Sequence, residues 1–167
     1  MFGDMEVRCA TVDDLDAVEE VARWSCDEAL GEMVPAFVVD EEMAFRFRRS
    51  LLAEHVLNRH LVLGVDGDGH LEVVVLVDDQ PDYAKLTTVV VPTRPSFVPE
   101  ATAFVAGLRS MGWTGPLVSD TALGYTDLER FHEDAGFAPG EIVVERVGDY
   151  EVFRRRWWLG PALSAAG

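Results

Sequence analysis

Lysine is nearly missing from this chain. Lys85 is the one lysine in 167 residues, set against 30 aspartates and glutamates and a formal net charge of −16. Neutralising a phosphate backbone takes a basic face, so nucleic acid is excluded as a main partner. A cationic or amine-bearing partner remains compatible with that charge. Cysteine is scarce as well. Cys9 and Cys26 have no metal-ligand spacing and read as reduced core thiols, so neither a metal site nor a disulfide is expected. No apolar run approaches the roughly 20 residues of a membrane helix. The opening MFGDMEVR carries an acid and no apolar core, so no export signal is read there and a cytoplasmic location is expected. A G-x-S-x-G elbow and a P-loop are both missing, which removes those hydrolase and nucleotide-binding classes.

What remains is ordinary globular composition, 49% hydrophobic and 26% charged. A chain of 18.5 kDa reads as one domain, 1–167, with 159–167 as a short tail. Met5–Ala10 alternates as a strand. Thr11 and Asp14 form a capping box, followed by Leu15, Val18, Val21 and Ala22 at helical spacing. Residues 31–39 read as an irregular connection that tucks Phe37 into the core. Asp40 then caps a helix over 41–58 that buries Ala44, Phe47 and Leu51 and leaves Arg46, Arg48 and Arg49 in solvent. His60–Val65 and His70–Val77 are strands around Asp66-Gly67-Asp68-Gly69, a hairpin turn without the remaining ligands of a calcium loop. Lys85–Val91 is a fourth strand, and Glu100–Met111 a helix ended by Gly112.

The stretch Pro116–Trp158 organises the rest. Leu117 and Val118 lead through Ser119 and Asp120 to a helix carrying Leu128, Phe131 and Ala135, which stops at Gly136. Glu141–Val147 and Tyr150–Trp158 alternate around Gly148-Asp149, a strong hairpin signal. This strand, short helix, Gly-Phe and closing hairpin resemble the C-terminal half of the GNAT acetyltransferase superfamily. Phe131-His132-Glu133-Asp134-Ala135-Gly136-Phe137 stands at that family's F-Y-x-x-x-G-F segment. The element order along the chain is similar to that of the family too.

The resemblance implies an α/β fold: a GNAT-like single domain with a mixed, twisted sheet of about six to seven strands and helices on both faces. It also implies an acyl-CoA N-acyltransferase that takes acetyl-CoA and an amine. The thioester carbonyl would then meet the fourth-strand backbone at Val89, Val90 and Val91. In the family a glycine-rich loop and a helix N-terminus hold the diphosphate. Here that place reads Val91-Pro92-Thr93-Arg94-Pro95-Ser96-Phe97-Val98-Pro99, without glycine and with three prolines that remove backbone donors. Arg94 and Ser96 are its candidate phosphate contacts. His132 stands where the family has a proton-donating phenol, and Tyr125 replaces a frequent asparagine. Asp79, Asp82 or Glu72 would have to serve as base.

Two readings therefore stand side by side. One is an acetyltransferase with an atypical cofactor loop; the other is a non-catalytic GNAT-like module working through protein contacts, within a larger assembly. For the second, Arg154, Arg155, Arg156, Trp157 and Trp158 form a basic, aromatic cluster suited to self-association or partner docking.

Overall fold

Leu61–Val65 is apolar throughout and buried at every residue, as a strand covered on both faces must be. The computed structural model, which describes residues 5–31, 34–90 and 98–162, places this strand in a sheet of seven among the described residues. In chain order the elements are β1 (Glu6–Cys9), α1 (Leu15–Leu30), α2 (Ala36–Arg46), α3 (Arg49–Leu57), β2 (Leu61–Val65), β3 (Leu71–Asp79) and β4 (Ala84–Val90). They continue with α4 (Val98–Ser110), β5 (Leu117–Ala122), α5 (Thr126–Asp134), β6 (Ala138–Val147) and β7 (Tyr150–Leu159). The sheet order is β1-β2-β3-β4-β5-β7-β6. Every neighbouring pair is antiparallel except β4 with β5. The α/β architecture and mixed sheet expected from the sequence are what the chain forms.

Strand alternation sorts the core into two layers. Leu61, Leu63, Val74 and Leu76 pack with Val18, Ala22, Val38 and Leu52 of α1, α2 and α3. Val62, Val73, Val75, Val77 and Leu86 pack with Phe104, Leu108, Leu128 and Phe131 of α4 and α5. Close approach fixes one edge: a Cβ on Gly107 of α4 would run into the side chain of Val7 on β1. At the C-terminus of α5, Gly136 takes φ 90°, which ends the helix as its sequence position predicts. The capping box forms, with Thr11 N donating to Asp14 Oδ2 at 2.8 Å. No helix among the described residues is long and apolar enough to cross a membrane.

One stretch departs from the sequence reading. The single helix expected over 41–58 is two helices, α2 and α3, broken where Phe47 and Arg48 leave helical geometry (ψ 15° and 146°). Helix α2 begins earlier, at Ala36 after Pro35, inside the stretch expected to be irregular. The break changes which side chains are inward. Val38, Val39 and Phe47 are buried, whereas Phe37 is 54% exposed and Ala44 is exposed. Arg46, expected in solvent, turns into the protein.

Candidate functional site

Strands β4 and β5 pair only over Ala84–Leu86 and Leu117–Ser119. Each then keeps its other neighbour. Strand β4 stays on β3 as far as Val73↔Val90, and β5 stays on β7 as far as Ala122↔Arg154. The sheet therefore splits, and a cleft with a cavity of about 60 Å³ opens in the gap. Its walls are Leu86, Thr87 and Thr88 of β4 with Asp120 and Ala122 of β5, closed on one side by Ser25 and Cys26 of α1.

Tyr125 enters this gap at the start of α5, its backbone N–H donating to Ala122 O at 3.1 Å. Its ring packs against both core layers, which lie on opposite faces of the sheet. A side chain reaches both only by standing in the split between the strands. The phenol oxygen is buried, and no hydrogen-bond partner reaches it among the described residues. Burial pushes its pKa up to about 12, although Ser25 beside it favours the ionised form. The phenol is thus a protonated, uncommitted donor inside the cleft. The neighbouring Cys26 thiol is likewise pushed up to about 12 by burial and is no nucleophile at neutral pH.

The floor on the α2 side is ionic. Glu42 Oε1 accepts from Arg46 Nε and, at 3.1 Å, from Arg154 Nη2. Glu145 pairs with Arg46 Nη2 and, at 2.9 Å, with Arg154 Nε, which is out of line for a hydrogen bond. This cluster ties α2 to β6 and β7. Beside it, Asp120 takes both bonds of the Arg156 fork at 2.8 and 3.0 Å, with Lys85 at 3.5 Å. Burial raises the Asp120 pKa, but the Arg156 hydrogen bonds and the charges of Arg156 and Lys85 outweigh it, so it ends below the usual range.

His132 lies in the second core layer, 1% exposed, and is not among the residues that line the cleft. Its Nδ1 is 2.7 Å from Leu128 O and its Nε2 is 2.7 Å from Ser119 Oγ. A carbonyl can only accept, so Nδ1 carries the proton and the Ser119 hydroxyl donates to Nε2. The ring stacks on Trp157 at 5.6 Å, and burial pushes its pKa down to about 4. Asp79 and Asp82 flank the β3–β4 turn and line a separate depression with Tyr83 and Trp113, at the paired end of β4 and away from the split. Glu72 lies near the start of β3. Val89 and Val90 are on β4 beyond its last pairing with β5, while Val91, Arg94 and Ser96 fall outside the described residues.

The C-terminal cluster divides between inside and outside. Strand β7 is internal, between β5 and β6, so the strand that ends the chain does not end the sheet. Trp157 is 3% exposed and donates to Thr121 Oγ1, while Trp158 is 40% exposed and meets Tyr83 edge-on. Arg155 donates to Gly140 O at 2.9 Å. Asp66, Asp68 and His70 place ligand-type atoms within 4.8 Å of one another at the β2–β3 turn. Asp66 Oδ1 there accepts from the backbone N–H groups of Asp68 and His70, both at 2.9 Å, as a turn requires.

Among these residues, sequence reading singled out Arg154 and Tyr125 for other reasons and passed over Glu42, Arg46, Glu145 and Asp120. Only the i,i+4 spacing of Glu42 and Arg46 was a local signal, and it marks any solvated helix face.

No protein-family model matches the sequence, and neither does any curated protein. Solved structures do match in three dimensions. A GNAT-family acetyltransferase from Bacillus cereus superposes with a TM-score of 0.66 at 16% identity, over 96% of this chain and 100% of that one. The PaiA N-acetyltransferase of Thermoplasma acidophilum, solved with coenzyme A, gives 0.66 at 14% identity over 91% and 98%. An acetyltransferase of Salmonella typhimurium, solved with acetyl-CoA, gives 0.61 at 14% over 98% of each chain. The split sheet, its strand order and these superpositions together establish that the chain has the fold of the GNAT acetyltransferases.

Proposed function

We propose that this protein is an acyl-CoA-dependent N-acyltransferase working in the gap between β4 and β5. The observation that carries the reading is the uncommitted Tyr125 phenol standing in that gap. A buried hydroxyl without a partner costs stability, and such groups persist where a ligand completes them. Two structures of the same fold, solved with coenzyme A and with acetyl-CoA, support the choice of cofactor.

Bound acetyl-CoA would supply the acyl group as an activated thioester. The chain's own residues do the rest. Beyond Leu86, the side of the β4 backbone that faces away from β3 has lost β5 as a partner, so its polar groups are available to orient a carbonyl. The apolar walls, Leu86, Ala122 and Leu128, keep water from the reacting centre. Tyr125 holds its proton at neutral pH, at an atom from which a departing thiolate can be protonated. In this reading Tyr125, and not His132, is the acid.

A second reading is kept because of Pro92 and Pro95, which strip donors from the segment between β4 and α4. It makes the protein a non-catalytic module on the same fold. Titration calorimetry with CoA and acetyl-CoA separates the two. Affinity in the micromolar range supports the transferase. No heat at millimolar cofactor removes it and leaves the module.

A further inference from the structure

The cleft does not share the charge of the chain around it. The protein as a whole has 14 Lys and Arg against 30 Asp and Glu. Among the cleft's lining residues, Glu42, Asp120 and Glu145 are balanced by Arg46, Lys85 and Arg154. Arg156, outside the lining, pairs with both Asp120 and Glu141, which leaves the balance even. An acidic protein has therefore gathered a charge-balanced patch at its candidate site.

Donors are in surplus there as well. Each guanidinium offers five N–H groups. The contacts of Arg46 and Arg154 with Glu42 and Glu145 engage Nε and Nη2 of each arginine. The Nη1 groups of both have no acidic partner among the described residues, and Arg154 Nε sits beside Glu145 out of line. Both side chains keep some exposure, 17% for Arg46 and 13% for Arg154, so a ligand in the cleft can reach them. Every carboxylate in the set is meanwhile held by an arginine. An extra ammonium group has no free acid to meet in the lining.

Building on the acyltransferase reading, we infer that the acceptor is an amine that also carries a carboxylate, of the free amino-acid type, with that carboxylate received by Arg46 and Arg154. A polyamine is the acceptor class that the whole-chain charge would favour, but the cleft offers it no unpaired carboxylate. Helix α4, at whose N-terminus the resemblance places the diphosphate, packs on the opposite face of the sheet from α2. Acyl donor and acceptor thus approach the gap from different sides.

The test uses the intact protein and small ligands, so it does not depend on a variant folding. CoA binding is measured first by calorimetry. Release of thiol from acetyl-CoA is then followed with each free amino acid in turn, with the carboxamide of each, and with spermidine. At least one free amino acid should be accepted, with kcat/KM about tenfold to a hundredfold above its carboxamide, the loss expected when a charge-assisted hydrogen bond disappears. Spermidine should fall below both. The inference is overturned if acid and carboxamide react equally, if spermidine is preferred, or if a protein that binds CoA accepts no amino acid. Failure to bind CoA at all is the distinct outcome that removes the acyltransferase reading, and the inference with it.

Discussion

Replacing His132 with glutamine should flatten the acid limb of the protein's stability curve. In the native state the imidazole is fully enclosed, stacked on Trp157 and set edge-on to Phe137 at 5.0 Å, with both nitrogens already bonded. Desolvation drives its pKa from 6.5 to about 4, while the bond to Leu128 O offsets part of that fall. In the unfolded chain the same group titrates near 6.5. Above that pH it is neutral in both states and contributes nothing through ionisation. Between about 6.5 and about 4 the unfolded state binds the proton and the native state does not, so stability falls as pH falls. The two and a half units separating the two pKa values correspond to about 3 kcal/mol, lost at roughly 1.4 kcal/mol per pH unit. Urea denaturation at pH 7, 6, 5 and 4.5, on wild type and His132→Gln, reads this directly. Glutamine can keep a donor and an acceptor and does not titrate, so the difference between the two curves should fall steadily toward acid and change sign by about pH 5. It starts at about 1–2 kcal/mol in favour of wild type, from lost stacking. Parallel curves would refute the reasoning. They would mean that His132 is protonated near neutrality in the folded protein, and it would return as a proton donor.

Other expectations are as direct. Tyr125→Phe should leave stability unchanged or raise it by up to about 1 kcal/mol, because the hydroxyl it removes is buried without a partner. In the transferase reading the same change should lower kcat about 100-fold with CoA affinity retained, checked by calorimetry beside a thiol-release assay. Arg154→Met leaves Glu42, whose side chain is 4% exposed, with Arg46 alone, and should cost about 2–3 kcal/mol in thermal or urea unfolding. Asp14, held at a pKa of about 2 by its bonds to Arg8 against the opposing effect of burial, stabilises the fold above pH 4. Asp14→Asn should cost about 1 kcal/mol at pH 7, a difference that fades as pH falls from about 4 toward about 2.

The fold was legible because its signals are local. Val62 to Val77 reads as two strand-length apolar runs around a Gly-Asp turn, Thr11 and Asp14 sit three apart, and Gly136 and Gly148 stand where φ must be positive. The error over 41–58 has a local cause too. Phe47 and Arg48 carry no glycine or proline to announce a break, so the helical pattern reads straight through them. What ends the helix is tertiary: Phe47 is drawn 4% exposed into the core between α1 and the cleft. The candidate site was not legible for the same kind of reason. Arg46 and Glu145 are 99 residues apart and Glu42 and Arg154 are 112 apart, and a charged residue on a helix or strand gives no hint of a partner at such range.

This division bears on how the cleft is kept open. Its two strands are held by neighbours that pull in different directions, β4 by β3 and β5 by β7, so sheet pairing alone sets no width for the gap. The width is set by what crosses or fills it. Tyr125 fills it from α5, and the Glu42–Arg46–Glu145–Arg154 cluster bridges α2 to the β6–β7 hairpin over its floor. A neutral, hydrogen-bonded ion cluster is a weak source of net stability, because desolvating four charges offsets most of their attraction. Its directional geometry is what hydrophobic residues of the same volume could not supply. Substituting Glu42, Arg46, Glu145 and Arg154 together with apolar residues should therefore leave global stability within about 2 kcal/mol of wild type. Ligand affinity in the cleft should nonetheless be lost, a pairing of outcomes that a purely structural role for the cluster would not produce.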